Sequence, residues 1–318
     1  MLGVSKQILA FYYGWYGTPS VSGRWVHWTN VDAAAERIGD TAHYPAFGPY
    51  DSHDQAMLRK QVAQARAAGI TGFIATWWGR GTFDDQGIPL LLSAAAGTGF
   101  VVSAHYETVT GKTPESRMIA AVTDLDYILQ RYAGDKAWLR ALGKPVVFVY
   151  DRAATQLTPA QWASVLAKVR RDNPGGVIVV ADTLEPAYIS VFDGAALYNV
   201  TGNTWHKPPG EVSYWAHGAY PKVAAVAGAG RISTATVIPG YDDRELGKPP
   251  PRPVTDRWGG EIYRALWTAA VAANPDYVLI TSWNEWHEGT EIEPSVEYGS
   301  SFLEMTAPFA RQFLGAAK

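Results

Sequence analysis

The sequence predicts one (β/α)8 barrel, the TIM-barrel class of α/β fold, with its working surface at the C-terminal ends of the strands. Three observations predict it. Eight short β-rich apolar runs alternate with helical patterns along the 318 residues. The runs are near-continuously apolar, as strands of a parallel sheet covered by helices must be. Nearly every run ends in an aromatic residue, a carboxylate or both. A doubly wound sheet would usually show a Gly-rich phosphate turn after its first strand, but here that strand leads into Tyr13-Gly14-Trp15-Tyr16-Gly17.

The elements follow in order. Strand one is expected over 8–13. Ser52 and Gln55 have capping-box spacing and open a helix over 54–68 that Gly69 closes. Strands are expected over 72–76, 101–106 and 145–150. Thr158, Pro159 and Gln161 then start a helix whose apolar positions, Trp162, Val165, Leu166 and Val169, recur at helical spacing. Strands over 177–181, 194–198 and 232–238 come next, and 247–253, rich in Pro and basic residues, reads as a long βα loop. A helix over 260–272, a strand over 277–282 and a helix over 301–314 complete the chain. No repeat, low-complexity tract or long linker intervenes, so a single catalytic domain over 1–318 is expected.

A net charge of -3 argues against nucleic-acid or anionic-membrane partners, both of which reward a basic surface. With no Cys, thiolate zinc sites and disulfides are excluded, but the compartment is not decided. No segment approaches the roughly 20 apolar residues that span a bilayer. The first thirteen residues read as a strand, not a signal segment. A secreted or periplasmic protein whose signal has been removed is equally compatible. Thirteen Trp and 17 Tyr exceed what a core of this size needs, and aromatic faces are what sugar rings stack on.

In such a barrel the residues just past each strand share one rim. Here that rim collects Tyr13, Trp15 and Tyr16; Trp77 and Trp78; His105, Tyr106 and Glu107; Tyr150 and Asp151; Asp182; Tyr198 and Asn199; Tyr241, Asp242 and Asp243. The last strand adds Ser282-Trp283-Asn284-Glu285-Trp286-His287-Glu288-Gly289-Thr290-Glu291-Ile292-Glu293. Glu285 and Glu288 can converge on one bond, which is what glycosidic cleavage needs: a protonated acid for the leaving oxygen and an ionised group for the opposite face. The plainer alternative is that these Glu cap a turn or pair with Arg257. No His pair has the HxxxH or HxH spacing of a hydrolase metal centre, so no metal or cofactor is expected. No G-x-S-x-G elbow marks a serine nucleophile.

The 283–293 segment resembles the signature of glycoside hydrolase family 99, the endo-α-mannosidases that cut within α-1,2-linked mannose chains. So do Tyr44-Pro45-Ala46-Phe47-Gly48-Pro49-Tyr50-Asp51-Ser52-His53-Asp54, Thr76-Trp77-Trp78-Gly79, Pro239-Gly240-Tyr241-Asp242-Asp243 and Gly260-Glu261-Ile262-Tyr263. These matches run in order over nearly the whole chain. The resemblance implies that Glu285 is a general base and Glu288 the general acid/base, with Tyr241 near the reacting sugar's O2. It implies that Tyr44, Trp77, Trp78, His105, Glu107, Tyr150 and Tyr198 line the donor subsites. Asn284, Trp286 and His287 join them as candidate binding residues, and the expected partner is a mannan-like oligosaccharide or polysaccharide. The family's Arg-Pro-Trp-Asn run is replaced by Arg244-Glu245-Leu246-Gly247-Lys248-Pro249-Pro250, so recognition beyond the cleaved bond is not carried over. The barrel also resembles glycosyltransferase-like proteins of polysaccharide biosynthesis. In that reading Arg244, Lys248, Arg252 and Arg257 would have to hold a sugar nucleotide's diphosphate. A retaining α-glycosidase of other specificity, with Glu285 as nucleophile, stays open beside both.

Overall fold

The computed structural model describes residues 4–227 and 230–316; residues 1–3, 228–229 and 317–318 of the expected domain lie outside it. Eight parallel strands form the barrel wall: β1 (Gln7–Tyr12), β2 (Gly72–Trp77), β3 (Val101–Tyr106), β4 (Lys144–Val149), β5 (Ile178–Asp182), β6 (Gly194–Ala196), β7 (Thr234–Val237) and β8 (Tyr277–Ile280). Their spatial order is β6-β5-β4-β3-β2-β1-β8-β7. The outer layer includes α1 (Gln55–Ala67), α2 (Phe83–Ala95), α3 (Pro114–Arg131), α4 (Pro159–Asp172), α5 (Pro209–Ala227), α6 (Glu261–Ala273) and α7 (Ser301–Gly315).

Period-2 alternation sorts the strand residues into two cores. Leu9, Phe11, Ile74, Phe148, Val180 and Leu279 fill the barrel interior. Ile8, Ala10, Phe73, Val147 and Val149 face outward, in one cluster with Leu58 and Val62 of α1 and Val165 and Leu166 of α4. Because both faces are buried, the strands read as unbroken apolar runs.

The seam between β6 and β7 closes differently from the rest. An isolated bridge pairs Gly194 with Ile232, and the Ala195 N–H donates to the Ile232 carbonyl at 3.1 Å. Farther up, the Thr234 and Thr236 hydroxyls donate to the carbonyls of Ala195 and Leu197, so side chains satisfy buried acceptors that backbone amides do not reach.

Two sequence expectations change. Asp54, not Ser52, caps α1: its carboxylate accepts the Ala56 N–H at 2.8 Å, while the Ser52 hydroxyl accepts the Tyr16 N–H at 3.3 Å. The last three strands end at Ala196, Val237 and Ile280, short of the expected 198, 238 and 282. There the chain leaves the ladder to build the rim. The Thr158 capping box with Gln161 is present as expected.

Candidate active site

β8 delivers the carboxylate pair through a single 3-10 turn, Trp286–Glu288, with Glu285 at its N-cap. A 3-10 turn has three residues per turn, so residues i and i+3 eclipse. Glu285 and Glu288 therefore lie on one edge, and both line the same cavity of about 360 Å3 with Trp15, His27, Thr29, Asp40, Leu246, Lys248 and His287. Gly289 lets the chain reverse directly after Glu288 at φ 59°; a Cβ there would stand 3.0 Å from the Asp242 carbonyl. The turn thus packs against the loop that follows β7.

Each carboxylate has its own surroundings. The Glu285 Oε1 accepts the His287 backbone N–H at 3.2 Å and faces His287 Nδ1 at 3.3 Å. His287 Nε2 donates to the His27 carbonyl at 2.9 Å, which fixes the proton on that nitrogen. A hydrogen bond between Nδ1 and the carboxylate then needs a second proton on the pair. Burial raises Glu285 above the usual carboxylate range, and the hydrogen bond and charge of His287 oppose the rise. Burial lowers His287, but Glu285 outweighs it and His287 is raised. The His27 ring, stacked on Trp15 at 4.4 Å, is pushed down to about 4 by burial and by His287, so it stays neutral.

Glu288 is partly open to the cleft. Its Oε2 accepts the Tyr198 hydroxyl at 3.0 Å, and that hydroxyl accepts from Tyr13 at 2.5 Å. Burial first and the Glu285 charge second push Glu288 up to about 8. Tyr13 and Tyr198 are raised by burial and by the neighbouring carboxylates, so both remain hydroxyl donors.

The mouth of the barrel is aromatic. His105 packs against Tyr150, Tyr198 and Phe11 at 5.3, 5.9 and 4.8 Å. Its Nδ1 lies 3.1 Å from Glu107, which also receives Arg152. The Arg152 guanidinium sits 4.5 Å over Trp78, which in turn lies 6.1 Å from Trp15. Tyr241, raised by burial and by the Glu288 charge, donates to Asp243 at 3.1 Å. His105, Glu107, Tyr150, Tyr198, Tyr241, Trp78, His287, Glu285 and Glu288 are thereby brought to one rim.

Four expected binding residues are elsewhere. Trp77 follows strand alternation outward into the helix layer, where its indole N–H donates to Asp85 at 2.6 Å; neighbours Trp77 and Trp78 cannot both face the cleft. Trp286 is buried behind the turn with its N–H on the Tyr50 hydroxyl. The Asn284 amide is buried and engaged by the protein: it accepts the Tyr13 N–H at 2.7 Å and donates to the Tyr13 carbonyl and Tyr50 hydroxyl. Asn284 therefore fixes β1's end. Tyr44 has its N–H on Glu297, and its hydroxyl lies by Gly48, facing the charges of Glu36 and Asp32.

Arg257 pairs with buried Glu291, which His43 also contacts, and so leaves the Glu285/Glu288 pair alone. Arg244 holds Asp242, while Lys248 and Arg252 hold Asp243. All four candidates for gripping a diphosphate are thus engaged by carboxylates. Among the described residues no three His, Asp or Glu converge to hold a metal ion, and no helix is long and apolar enough to cross a membrane. Larger cavities of about 690 and 570 Å3 lie by Trp215 and by Phe309, away from the carboxylates.

Sequence reasoning passed over His27, Thr29 and Asp40 as cleft residues and named Lys248 only as a candidate for gripping a diphosphate. The first three stand on the excursion between β1 and α1, which has no periodicity to follow. Trp15 and Tyr13 were visible from their place after strand one.

The sequence model described as Glycosyl hydrolase family 99 matches residues 3–304. The chain is 26% identical to the glycoprotein endo-alpha-1,2-mannosidase-like protein of Mus musculus, over 98% of this chain and 78% of that one. It is 26% identical to the glycoprotein endo-alpha-1,2-mannosidase of Rattus norvegicus, over 90% and 67%. Among solved structures, the GH99 endo-alpha-mannosidase from Bacteroides thetaiotaomicron in complex with BIS-TRIS-propane superposes with a TM-score of 0.80 at 28% identity, covering 98% of both chains.

Proposed function

The chain belongs to glycosyl hydrolase family 99 and is a glycoside hydrolase; from that premise we propose that it cuts within α-1,2-linked mannose chains with retention of configuration, through a 1,2-anhydro sugar. The observation that carries the mechanism is the asymmetry of the pair: Glu288, raised to about 8, holds a proton at neutral pH, while Glu285 has a histidine partner that favours its anion.

In an α-mannoside the C2 hydroxyl and the leaving oxygen are both axial and on opposite faces. The substrate's O2 is therefore aligned for back-face attack on C1 at high effective concentration. Glu285 takes the O2 proton, O2 bonds to C1, the glycosidic C1–O bond breaks and Glu288 gives its proton to the departing oxygen. In the second step Glu288, now a carboxylate, takes a proton from water. That water attacks C1 and breaks the C1–O2 bond, and Glu285 returns its proton to O2. Two inversions give net retention. Tyr198 supports the second half, since its hydroxyl donates to Glu288 and so favours the carboxylate. Tyr150, His105 and Trp78 supply ring faces for the sugars.

The competing route makes Glu285 the nucleophile of a covalent glycosyl enzyme. A 2-deoxy-2-fluoro-α-mannosyl fluoride separates them. With no O2 to attack C1 it is inert under the proposal, and intact-protein mass spectrometry shows unmodified enzyme, while synthetic 1,2-anhydromannose is hydrolysed. A fluorosugar adduct mapped to the peptide carrying Glu285 would establish the nucleophile instead.

A further inference from the structure

The loop after β7 is tied down by a buried anion. Asp243 is fully buried; Arg252 grips both of its oxygens, the Tyr241 hydroxyl donates to it, and Lys248 Nζ lies 3.5 Å from Oδ2. Arg252 and Tyr241 already satisfy that carboxylate, so Lys248, half exposed, keeps donor capacity. Its side chain lines the same cavity as Glu285 and Glu288.

The reaction proposed above moves negative charge. Before the first step the anion is Glu285, next to His287; afterwards it is Glu288, because one carboxyl has gained a proton from O2 and the other has given one to the leaving oxygen. His287 serves the first location. The groups facing Glu288 are Glu285 on its own turn, Tyr13, Glu107, Tyr150, Tyr198 and Tyr241 from the other strand ends, and Lys248 from the loop. The acids among them oppose an anion there, the tyrosines only donate, and Lys248 brings a positive charge from the loop.

We propose that Lys248, held over the cleft by the Asp243 clamp, is a positioning residue that acts through Glu288, supplying the fixed positive charge that makes proton donation by Glu288 feasible. This rests on the assignment of Glu288 as acid/base. In a cleft walled by protein, a like-signed neighbour such as Glu285 costs more than in bulk solvent, and an ammonium lining the same cleft offsets it.

The test is the pH profile of kcat/KM on an α-1,2-mannooligosaccharide for wild type, Lys248→Met, Lys248→Arg and Glu288→Gln, with thermal melts as a check on folding. Removing the cation should move the alkaline limb of Lys248→Met to higher pH by about one unit and lower its neutral-pH rate about tenfold. Lys248→Arg should restore both. The shift should shrink as salt approaches 1 M, where the screening length is about 3 Å. Glu288→Gln should show no such limb on the substrate, because the titrating group is gone. A folded Lys248→Met with its limb unmoved would overturn the role of Lys248 alone. A Glu288→Gln enzyme that keeps full rate and limb would overturn the acid/base assignment, and Lys248 with it.

Discussion

Glu288 is the residue on which proton transfer turns, and its environment has a thermodynamic signature as well as a kinetic one. Its folded-state pKa of about 8 lies above the ordinary 4.5, so its protonated form is favoured in the fold. That contribution to stability is full below 4.5 and is lost as pH rises through 8. Glu288→Gln, which stays neutral, should therefore raise Tm more at pH 8 than at pH 5; differential scanning calorimetry at the two pH values checks this. The same variant should lose turnover of natural glycans and retain more of the first step on an activated fluoride. His287→Phe should raise Glu285 further and move the acid limb of kcat/KM upward, because the anion loses its partner. Trp77 gives the contrary case. Trp77→Phe should lower stability by about 1 kcal/mol through the lost Asp85 hydrogen bond while KM stays unchanged, since the ring faces the helices. In sequence Trp77 and Trp78 look alike because both fall just past the strand expected over 72–76; β2 runs on through Trp77, and its alternation separates them.

The turn after β8 and the end of β1 form one unit, joined by Asn284. Asn284→Ala leaves the Tyr13 N–H and carbonyl buried without partners, which should cost about 3 kcal/mol in urea denaturation and reduce kcat, because Tyr13 and Tyr198 no longer hold Glu288 in place. Thr158→Ala at the N-cap of α4 should cost about 1 kcal/mol with kcat unchanged, which separates loss of stability from loss of the site. Elements of this kind were legible where chemistry repeats: the Thr158 box, the apolar strands and the two Glu at a spacing of three. The excursion between β1 and α1 was not. It carries only a four-residue helix, Pro19–Ser22, and reaches the cleft through contacts distant in sequence, such as Trp28 stacked on Tyr16 at 3.9 Å and the His27 carbonyl on His287. Tyr44 belongs to that same stretch, and its motif resemblance said nothing about which way its ring would turn.

At the scale of the whole molecule, the barrel brings eight strand ends to one rim, and that rim was readable because residues after parallel strands must share a face. The seam between β6 and β7 was not, since threonine hydroxyls that replace backbone bonds look in sequence like ordinary strand residues. The site that results is a cleft in which one carboxylate, Glu288, is raised by burial and the other, Glu285, is supported by a histidine, among aromatic rings. The most direct test of this account is real-time proton NMR of the protein with a linear α-1,2-mannotetraose, with an α-1,3-glucan oligosaccharide as the control. The account predicts cleavage at an internal bond, the α-anomer of the new reducing end appearing first and mutarotating later, and no attack on the glucan. Release of single mannose units from the chain end, first appearance of the β-anomer, or cleavage of the glucan alone would contradict it.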